Sequence, residues 1–117
     1  MPLQLTIYRA KSQLPDLPGT DLFHSTGLFR LYEATPGYKP LLIIASEDGC
    51  VKGKLLGVIR RSVRLTPPAL IQRCEVYGTG EYFCPPEQQE SVFEALLAQL
   101  TKEAAHRSFL IEFRNLN

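Results

Sequence analysis

Alternating apolar and polar positions open the chain and predict a β-strand over residues 1–9. Leu3, Leu5 and Ile7 share one face of this strand, whereas the positions between them form a more polar face. A continuous apolar run from Leu41 to Ala45 predicts a second strand, which is covered on both faces. The chain therefore supplies a half-exposed strand and a buried strand to one sheet.

A turn signal followed by a long return segment predicts a β-hairpin in the middle of the chain. Asp48-Gly49 favours a tight turn, and residues 54–65 are expected to return as a strand. Gly57 within that strand indicates a bulge or the close approach of another backbone. After the break at Pro67-Pro68, a further strand is expected within residues 70–77.

A short helix is predicted between the first two strands. Ser25 or Thr26 can cap it, and it is expected to end near Ala34 because Pro36-Gly37 follows. The residues that it is expected to bury are Leu28, Leu31 and Tyr32.

A longer helix is predicted to begin at Pro85 or Pro86. Proline suits the first helical turn, and the carboxylates of Glu87 and Glu90 lie favourably near the positive end of the helix dipole. Helical spacing then continues for about five turns. The apolar residues that keep this spacing are Phe93, Leu96, Leu97, Leu100 and Ala104. Alternation over residues 109–113 predicts a final strand.

The predicted element order is β-α-β-β-β-α-β within a single domain that spans residues 1–117. The last strand–helix–strand unit is expected to be a right-handed crossover between two parallel strands. Together these features predict an α+β fold with a mixed, largely antiparallel sheet and packed helices. Because the chain stops directly after an apolar strand, we expect it to be a fragment of a longer protein.

Composition fits one globular domain, since 44% of the 117 residues are apolar and 21% are charged. The apolar content and nine prolines exclude disorder and coiled coil. No apolar run is long enough to cross a bilayer, so no membrane span is expected. No basic and apolar leader opens the chain, and the expected location is therefore the cytoplasm.

Charge is unevenly distributed, although the net charge is only +1, which argues against a general nucleic-acid-binding surface. Residues 49–74 contain no acid and six cations. These cations are Lys52, Lys54, Arg60, Arg61, Arg64 and Arg73. Such a segment attracts phosphate or carboxylate groups, or else forms a solvated strand face on which arginine stems cover apolar surface.

Three cysteines, Cys50, Cys74 and Cys84, cannot all pair within one molecule. An odd number of cysteines without a secretion signal indicates a reducing compartment and free thiols. The chain has no C-x-x-C pair, and His24 and His106 lie far from the cysteines in sequence, so no metal site is expected. Buried, inert thiols are the favoured interpretation.

Five short segments resemble, in their order and spacing, the N-terminal half of FemAB-like proteins, a subset of the GNAT acyltransferase superfamily. They are LFHS at 22–25, PGYKP at 36–40, LGVIRR at 56–61, YGTGEY at 77–82 and IEFRNL at 111–116. The predicted element order also matches the first part of the GNAT fold. The resemblance extends over nearly the whole chain.

This resemblance implies a function. FemAB-like proteins carry two GNAT-like halves in tandem, and the FemABX enzymes move an amino acid from aminoacyl-tRNA onto a peptidoglycan precursor. The chain would then be a first half that contributes substrate binding and is inactive alone. The implied partners are the second GNAT-like half and, through the full-length protein, aminoacyl-tRNA or a peptidoglycan precursor.

A glycine-rich segment is the nearest match to the loop that holds the acetyl-CoA pyrophosphate in GNAT enzymes, Q/R-x-x-G-x-G/A. The segment here is EVYGTG at residues 75–80, with Glu75 in place of Gln or Arg. A carboxylate there repels phosphate, and the helix begins several residues too late, at two prolines without N–H donors. These departures favour an ordinary glycine turn, and no cofactor is expected.

Substrate-binding residues are expected on three segments. Arg60, Arg61 and Arg64 lie on the predicted hairpin strand, and arginine forks bind phosphate and carboxylate groups bidentately. Aromatic residues near the glycine turn suit stacking on a sugar or base, or else packing in the core. The other candidates are Tyr77, Gly78, Gly80 and Glu112.

Acyl and aminoacyl transfer also need a group that accepts the proton of the attacking amine. The candidates are Glu75, Glu81 and Glu112. Glu112 lies within an apolar strand, where burial favours proton uptake, or else it forms an ordinary salt bridge with Arg114 on a solvated face. No catalytic residue is assigned, and neither histidine is a catalytic candidate.

Two alternatives from other classes remain open. One is a non-catalytic interaction or dimerisation module, in which the exposed last strand pairs with a partner or a second copy. The other is a self-contained CoA-dependent N-acetyltransferase.

Overall fold

The computed structural model describes residues 3–10, 24–61, 72–78, 80–107 and 109–114, with side chains for 3–10, 24–59, 74–78 and 80–103. Its elements are β1 (Gln4–Tyr8), α1 (Thr26–Ala34), β2 (Tyr38–Glu47), β3 (Cys50–Arg61), β4 (Gln72–Tyr77), β5 (Glu81–Tyr82), α2 (Pro86–Arg107) and β6 (Phe109–Arg114). Within these ranges, neither helix combines the length and the apolar content that crossing a membrane requires.

The strands form one mixed sheet with the order β1-β2-β3-β4-β6, and β5 pairs with β3 beyond the end of β4. All neighbours are antiparallel except β4 and β6, which are parallel. Parallel strands need a crossover connection, and α2 provides it here. The predicted α+β class, the mixed sheet and the parallel last pair are confirmed.

The two helices cover opposite faces of the sheet, because successive residues of a buried strand point to opposite sides. Leu41 and Ile43 of β2 pack with Leu96 of α2 in one core cluster. Leu42 of β2 packs with Phe29 of α1 in a second cluster. The continuous apolar run in β2 is thereby explained as a strand covered on both faces, as predicted.

Helix α1 begins as predicted, but it buries a different residue. Ser25 caps the helix, since its Oγ accepts a hydrogen bond from the backbone N–H of Leu28 at 3.0 Å. Phe29 is fully buried, whereas Leu31 is 62% exposed, and the expected burial of Leu31 is wrong.

Helix α2 begins at Pro86, as predicted, but not all of the apolar residues at helical spacing are buried against the core. Val92, Leu96 and Leu100 are buried, at i, i+4 and i+8. Phe93 and Leu97 are only half-buried. Ala104 belongs to a part of the helix whose side chains lie outside the described set.

The bulge that was expected at Gly57 lies elsewhere in the hairpin of β2 and β3. Its register shift lies between Ala45 and Ser46, not at Gly57. Gly57 instead makes room for the side chains of Cys74 and Val76 on the neighbouring strand β4, whereas the alternative expectation was the close approach of a backbone. The strand ends at Arg61, and the residues up to Leu65 that were expected to continue it lie outside the described ranges.

Adding one methyl group at Gly57 is expected to destabilise the protein by about 1–3 kcal/mol. A Cβ there would lie 2.7 Å from the Sγ atom of buried Cys74 and 3.4 Å from Val76. Gly27→Ala is the matched control, since its Cβ would meet only the Ser25 Oγ at 3.8 Å and alanine favours a helix. Urea unfolding measures both variants, and equal stabilities would contradict the packing argument.

Candidate functional site

A glycine turn separates β4 from β5. Along β3 this leaves a two-residue interval, Leu55 and Leu56, that pairs with neither strand. Strand β5 pairs with Gly53 and Lys54, whereas β4 pairs from Gly57 onward. The chain leaves β4 with φ 81° at Gly78 and rejoins β3 after φ 103° at Gly80. These left-handed conformations favour glycine, so the glycine pair serves the geometry of the turn.

The side chain of His24 occupies this interval. Its Nδ1 lies 3.0 Å from the backbone nitrogen of Leu56, and its Nε2 lies 3.1 Å from that of Gly80. The residue is only 1% exposed. His24 therefore joins β3 to the glycine turn where no β4 or β5 residue pairs with Leu56, a role that sequence reasoning missed.

An ion pair lies next to this turn, between the paired strands β3 and β5. Lys54 Nζ is 3.4 Å from Glu81 Oε1, and the two side chains are 3% and 16% exposed. The Lys54 ammonium also lies 6.0 Å from the centre of the Phe83 ring. Because Glu81 balances the charge of a buried lysine, it is less available as a proton acceptor than the sequence indicated.

Glu75 and Glu112, two of the candidate proton acceptors, are neighbours in the sheet. Glu75 of β4 is 2% exposed and lies between Val58 of β3 and Glu112 of β6 in register. In-register residues of parallel strands share a face, so both positions lie on the same face. The side chain of Glu112 lies outside the described set, and its predicted roles stay predictions.

The start of α2 offers few donors for an anion. Pro85 and Pro86 have no backbone N–H, and the N–H of Gln88 donates to the Pro85 carbonyl oxygen at 2.8 Å. The acid in this first turn is Glu87. An anion-binding helix start needs unpaired N–H groups and no competing carboxylate, so this one suits a pyrophosphate poorly.

A cavity of about 580 Å³ lies at the other end of the sheet, where β2 begins. Arg9 lines it and is held in place by Glu103 of α2, with 2.7 Å between Nη2 and Oε2. Other polar lining comes from Glu33, Tyr38 and Lys39. The apolar lining is formed by Pro36, Pro40, Leu41 and Ile59.

The predicted binding residues divide between the two ends of the sheet. Arg60 follows Ile59 of the cavity and pairs with Tyr38. Tyr77 lies at the opposite end of β4, four residues or about 13 Å from Arg73, the partner of Arg60. Arg64 lies outside the described ranges, and the side chains of Arg60 and Arg61 lie outside the described set.

The aromatic residues after the glycine turn serve packing. Tyr82 is half-buried and packs against the α2 core cluster, and a Cβ on Gly53 would lie 2.9 Å from its ring. Burial, together with the charge of the Cys84 thiolate, raises the pKa of Tyr82. This arrangement supports the core interpretation over a stacking role for Tyr82.

The three thiols differ in environment. Cys50 is exposed, Cys84 is half-buried and Cys74 is buried, so the expectation of buried thiols fails for Cys50. Burial, and secondarily the nearby Glu75 carboxylate, raises the pKa of Cys74 to about 12. Among the described residues, no group of three or more His, Cys, Asp or Glu side chains is arranged to hold a metal ion.

Thiol labelling at pH 8 is expected to modify Cys50 rapidly and Cys74 only on unfolding, because the thiolate is the reactive form.

The raised pKa of Cys74 also means that, as the pH rises, the unfolded chain loses the Cys74 thiol proton at lower pH than the folded chain does. The contribution of Cys74 to the free energy of unfolding is therefore complete below about pH 8.5, and it is lost as the pH rises toward 12. Cys74→Ala should flatten this alkaline decrease, whereas Cys50→Ala should not.

A scan against protein-family models finds no match, and a search of curated proteins finds none. Two crystal structures of an aminoglycoside acetyltransferase from an uncultured soil metagenomic sample are similar in fold. The complex with trehalose has a TM-score of 0.59 and the complex with sisomicin 0.52. Each is 8% identical, and each match covers 98% of this chain and 77% of the other. The chain therefore has a fold similar to that of GNAT acetyltransferases.

Proposed function

We propose that this chain is a GNAT-type transferase domain of the FemAB-like kind, which takes part in moving an amino acid or acyl group onto a cell-envelope precursor. It contributes substrate binding and acts together with a second GNAT-like half. The observation that carries the choice of donor is the start of α2, where Pro85 and Pro86 lack the N–H donors that a CoA pyrophosphate needs and Glu87 adds a competing carboxylate. An aminoacyl-tRNA donor does not require that cradle.

The reaction class requires an amine to attack an acyl carbonyl carbon. The new N–C bond forms while the ester bond to the tRNA breaks, and the amine proton passes to a base and then to the leaving tRNA hydroxyl oxygen. Glu75 is the described carboxylate best suited to accept it, since it is buried and in register with Glu112. Glu81 is already paired with Lys54.

The acceptor is assigned to the cavity end of the sheet. Arg9, Lys39 and Glu33 line the cavity there, Arg9 is paired with Glu103, and Arg60 begins the arginine-rich segment beside it. Lys39 and the arginine-rich segment beside a partly apolar cavity suit an acceptor that carries phosphate or carboxylate groups on a larger body. A peptidoglycan precursor, with a diphosphate and a stem peptide, has this chemistry.

Calorimetric titration with acetyl-CoA tests the choice of donor. We expect no binding tighter than about 1 mM, which corresponds to roughly −4 kcal/mol. Micromolar affinity would overturn the FemAB-like donor assignment. A second candidate function, CoA-dependent N-acetylation, would then be favoured, and the fold shared with an aminoglycoside acetyltransferase supports that candidate.

Binding of a soluble, nucleotide-linked muramyl peptide tests the acceptor assignment. Lys39→Ala is expected to weaken binding about three- to tenfold, as loss of one exposed cation does. Lys52→Ala is the matched control, because Lys52 lies near the hairpin turn and away from the cavity. No measurable binding by the unaltered protein, or equal effects of both variants, would reject this acceptor site.

A further inference from the structure

The core-facing stripe of helix α2 ends on a carboxylate. Val92, Leu96 and Leu100 are buried, and Glu103 follows Leu100 by three residues, which places it on the same face of the helix. The side chain of Glu103 is 12% exposed. An apolar residue would continue the stripe, so an acid here departs from the local pattern of the helix. Departures of this kind are expected at functional or strained sites.

Arg9 accounts for a carboxylate at this position. Alternation along β1 places Arg9 on the same side as Ile7, which packs against the core cluster of α2. Arg9 Nη2 lies 2.7 Å from Glu103 Oε2. The Oε2 atom is buried and accepts no aligned hydrogen bond, so the attraction between the two charges holds this contact. Because largely buried ion pairs add little net stability over apolar packing, stability alone does not explain the pair.

We propose that Glu103 is a positioning residue, which holds the Arg9 guanidinium at the wall of the cavity so that Arg9 binds an oxyanion of the acceptor. The inference rests on the proposed function, since it names the group that binds the acceptor in the same cavity. Arg9 lines this cavity, and 43% of its side chain is exposed. A guanidinium carries several N–H donors in a planar fork, and the contact with Glu103 does not exhaust them.

The two cations that line the cavity differ in how they are held. Lys39 is exposed, and its side chain makes no hydrogen bond or ion pair with the part of the chain that the structure describes. An arginine that is held before the ligand arrives loses less conformational entropy on binding than a mobile lysine. Glu33 also lines the cavity and disfavours an oxyanion close to it, so the placement of the guanidinium matters. Lys39 therefore supplies charge, whereas Arg9 supplies an oriented site for a group with two oxygens.

Binding of two probes to the full chain tests the assignment of Arg9. One probe is the nucleotide-linked muramyl peptide, which carries a diphosphate. The other is the same muramyl peptide without the nucleotide and the diphosphate, so that its anionic groups are carboxylates. Arg9→Met removes the guanidinium, and we expect about tenfold weaker binding of the probe whose oxyanion it contacts. A loss with the first probe alone assigns Arg9 to the diphosphate, and a loss with both assigns it to a carboxylate of the peptide.

Glu103→Asp tests the positioning role. The change keeps the negative charge but shortens the side chain by one methylene, so the guanidinium is no longer held at the cavity wall. We expect about three- to tenfold weaker binding of the same probe. Glu94→Asp is the matched control, since Glu94 is exposed on the same helix and the change in helix propensity is the same. Its affinity should equal that of the unaltered protein.

A double-variant cycle separates positioning from a general effect on the fold. Because Glu103 acts through Arg9, Glu103→Asp should have no further effect on binding in the Arg9→Met background. If Arg9→Met does not fold, Arg9→Lys provides the background, since it keeps the charge and lacks the planar fork. Additive losses in the cycle would overturn the inference.

The remaining outcomes distinguish this inference from the proposed function. If the unaltered protein binds neither probe, the acceptor assignment and the role of Glu103 are both wrong. If binding weakens in Lys39→Ala but is unchanged in Arg9→Met and Glu103→Asp, the acceptor assignment stands and the inference alone is rejected.

Discussion

Replacing Glu81 by alanine is expected to lower the free energy of unfolding by about 3–5 kcal/mol. The change leaves the Lys54 ammonium, whose side chain is 3% exposed, without the carboxylate that balances it. At 3.4 Å the pair is longer than a charge-assisted hydrogen bond, so the attraction is mainly coulombic. The contact with the Phe83 ring at 6.0 Å compensates only a small part of the loss.

The double variant Lys54→Met/Glu81→Ala, compared with Lys54→Met and Glu81→Ala alone, provides the control. Removing both charges removes the buried ammonium that makes the single change costly, so we expect most of the stability to return. Urea unfolding of the two single variants and the double variant closes a thermodynamic cycle. Additive losses in that cycle would show that the two side chains do not interact.

Truncating Leu96 to alanine is expected to cost about 2–5 kcal/mol. Leu96 is fully buried and lies in the cluster that joins α2 to the sheet, among Leu55, Cys74 and Val76. The cavity left behind would lie between the helix and the strands that flank it, where rigid neighbours limit collapse. The loss is measured as a lower urea concentration at the midpoint of unfolding, while the dependence of the unfolding free energy on urea concentration stays unchanged.

Leu31→Ala removes the same atoms from a position that is 62% exposed. The change is expected to be within about 0.5 kcal/mol of neutral, as for most surface substitutions. A comparable loss of stability in Leu96→Ala and Leu31→Ala would contradict the structure, in which Leu96 of α2 belongs to the core and Leu31 of α1 is exposed.

The two ends of the sheet differ in structure and in proposed role. At one end, Arg9, Glu33 and Lys39 are among the residues that line a cavity large enough for part of an acceptor. At the other end, His24 fixes the glycine turn next to the start of α2. Glu75, the proposed proton acceptor, lies between them on β4 and is 2% exposed.

The local pattern of the sequence determined most of the fold. Period-two alternation, the continuous apolar run of β2, the Asp48-Gly49 turn and the Pro86 helix start each depend on neighbouring residues, and the structure confirms all four. The parallel pairing of β4 and β6 followed from the connection through α2. Lys54 was also accessible to such reasoning, since alternation places it on the same face as Leu56 and Val58.

Only the tertiary structure decided which side chains meet across long separations in sequence. His24 bonds to Leu56 and Gly80, which are 32 and 56 residues away, and no spacing rule predicts such contacts. The register of β4 and β6 brings Glu75 beside Glu112, and the register of β3 and β4 separates Arg60 from Tyr77. Hydrophobic pattern is a local property of the chain, whereas burial of a polar group depends on what distant segments place around it.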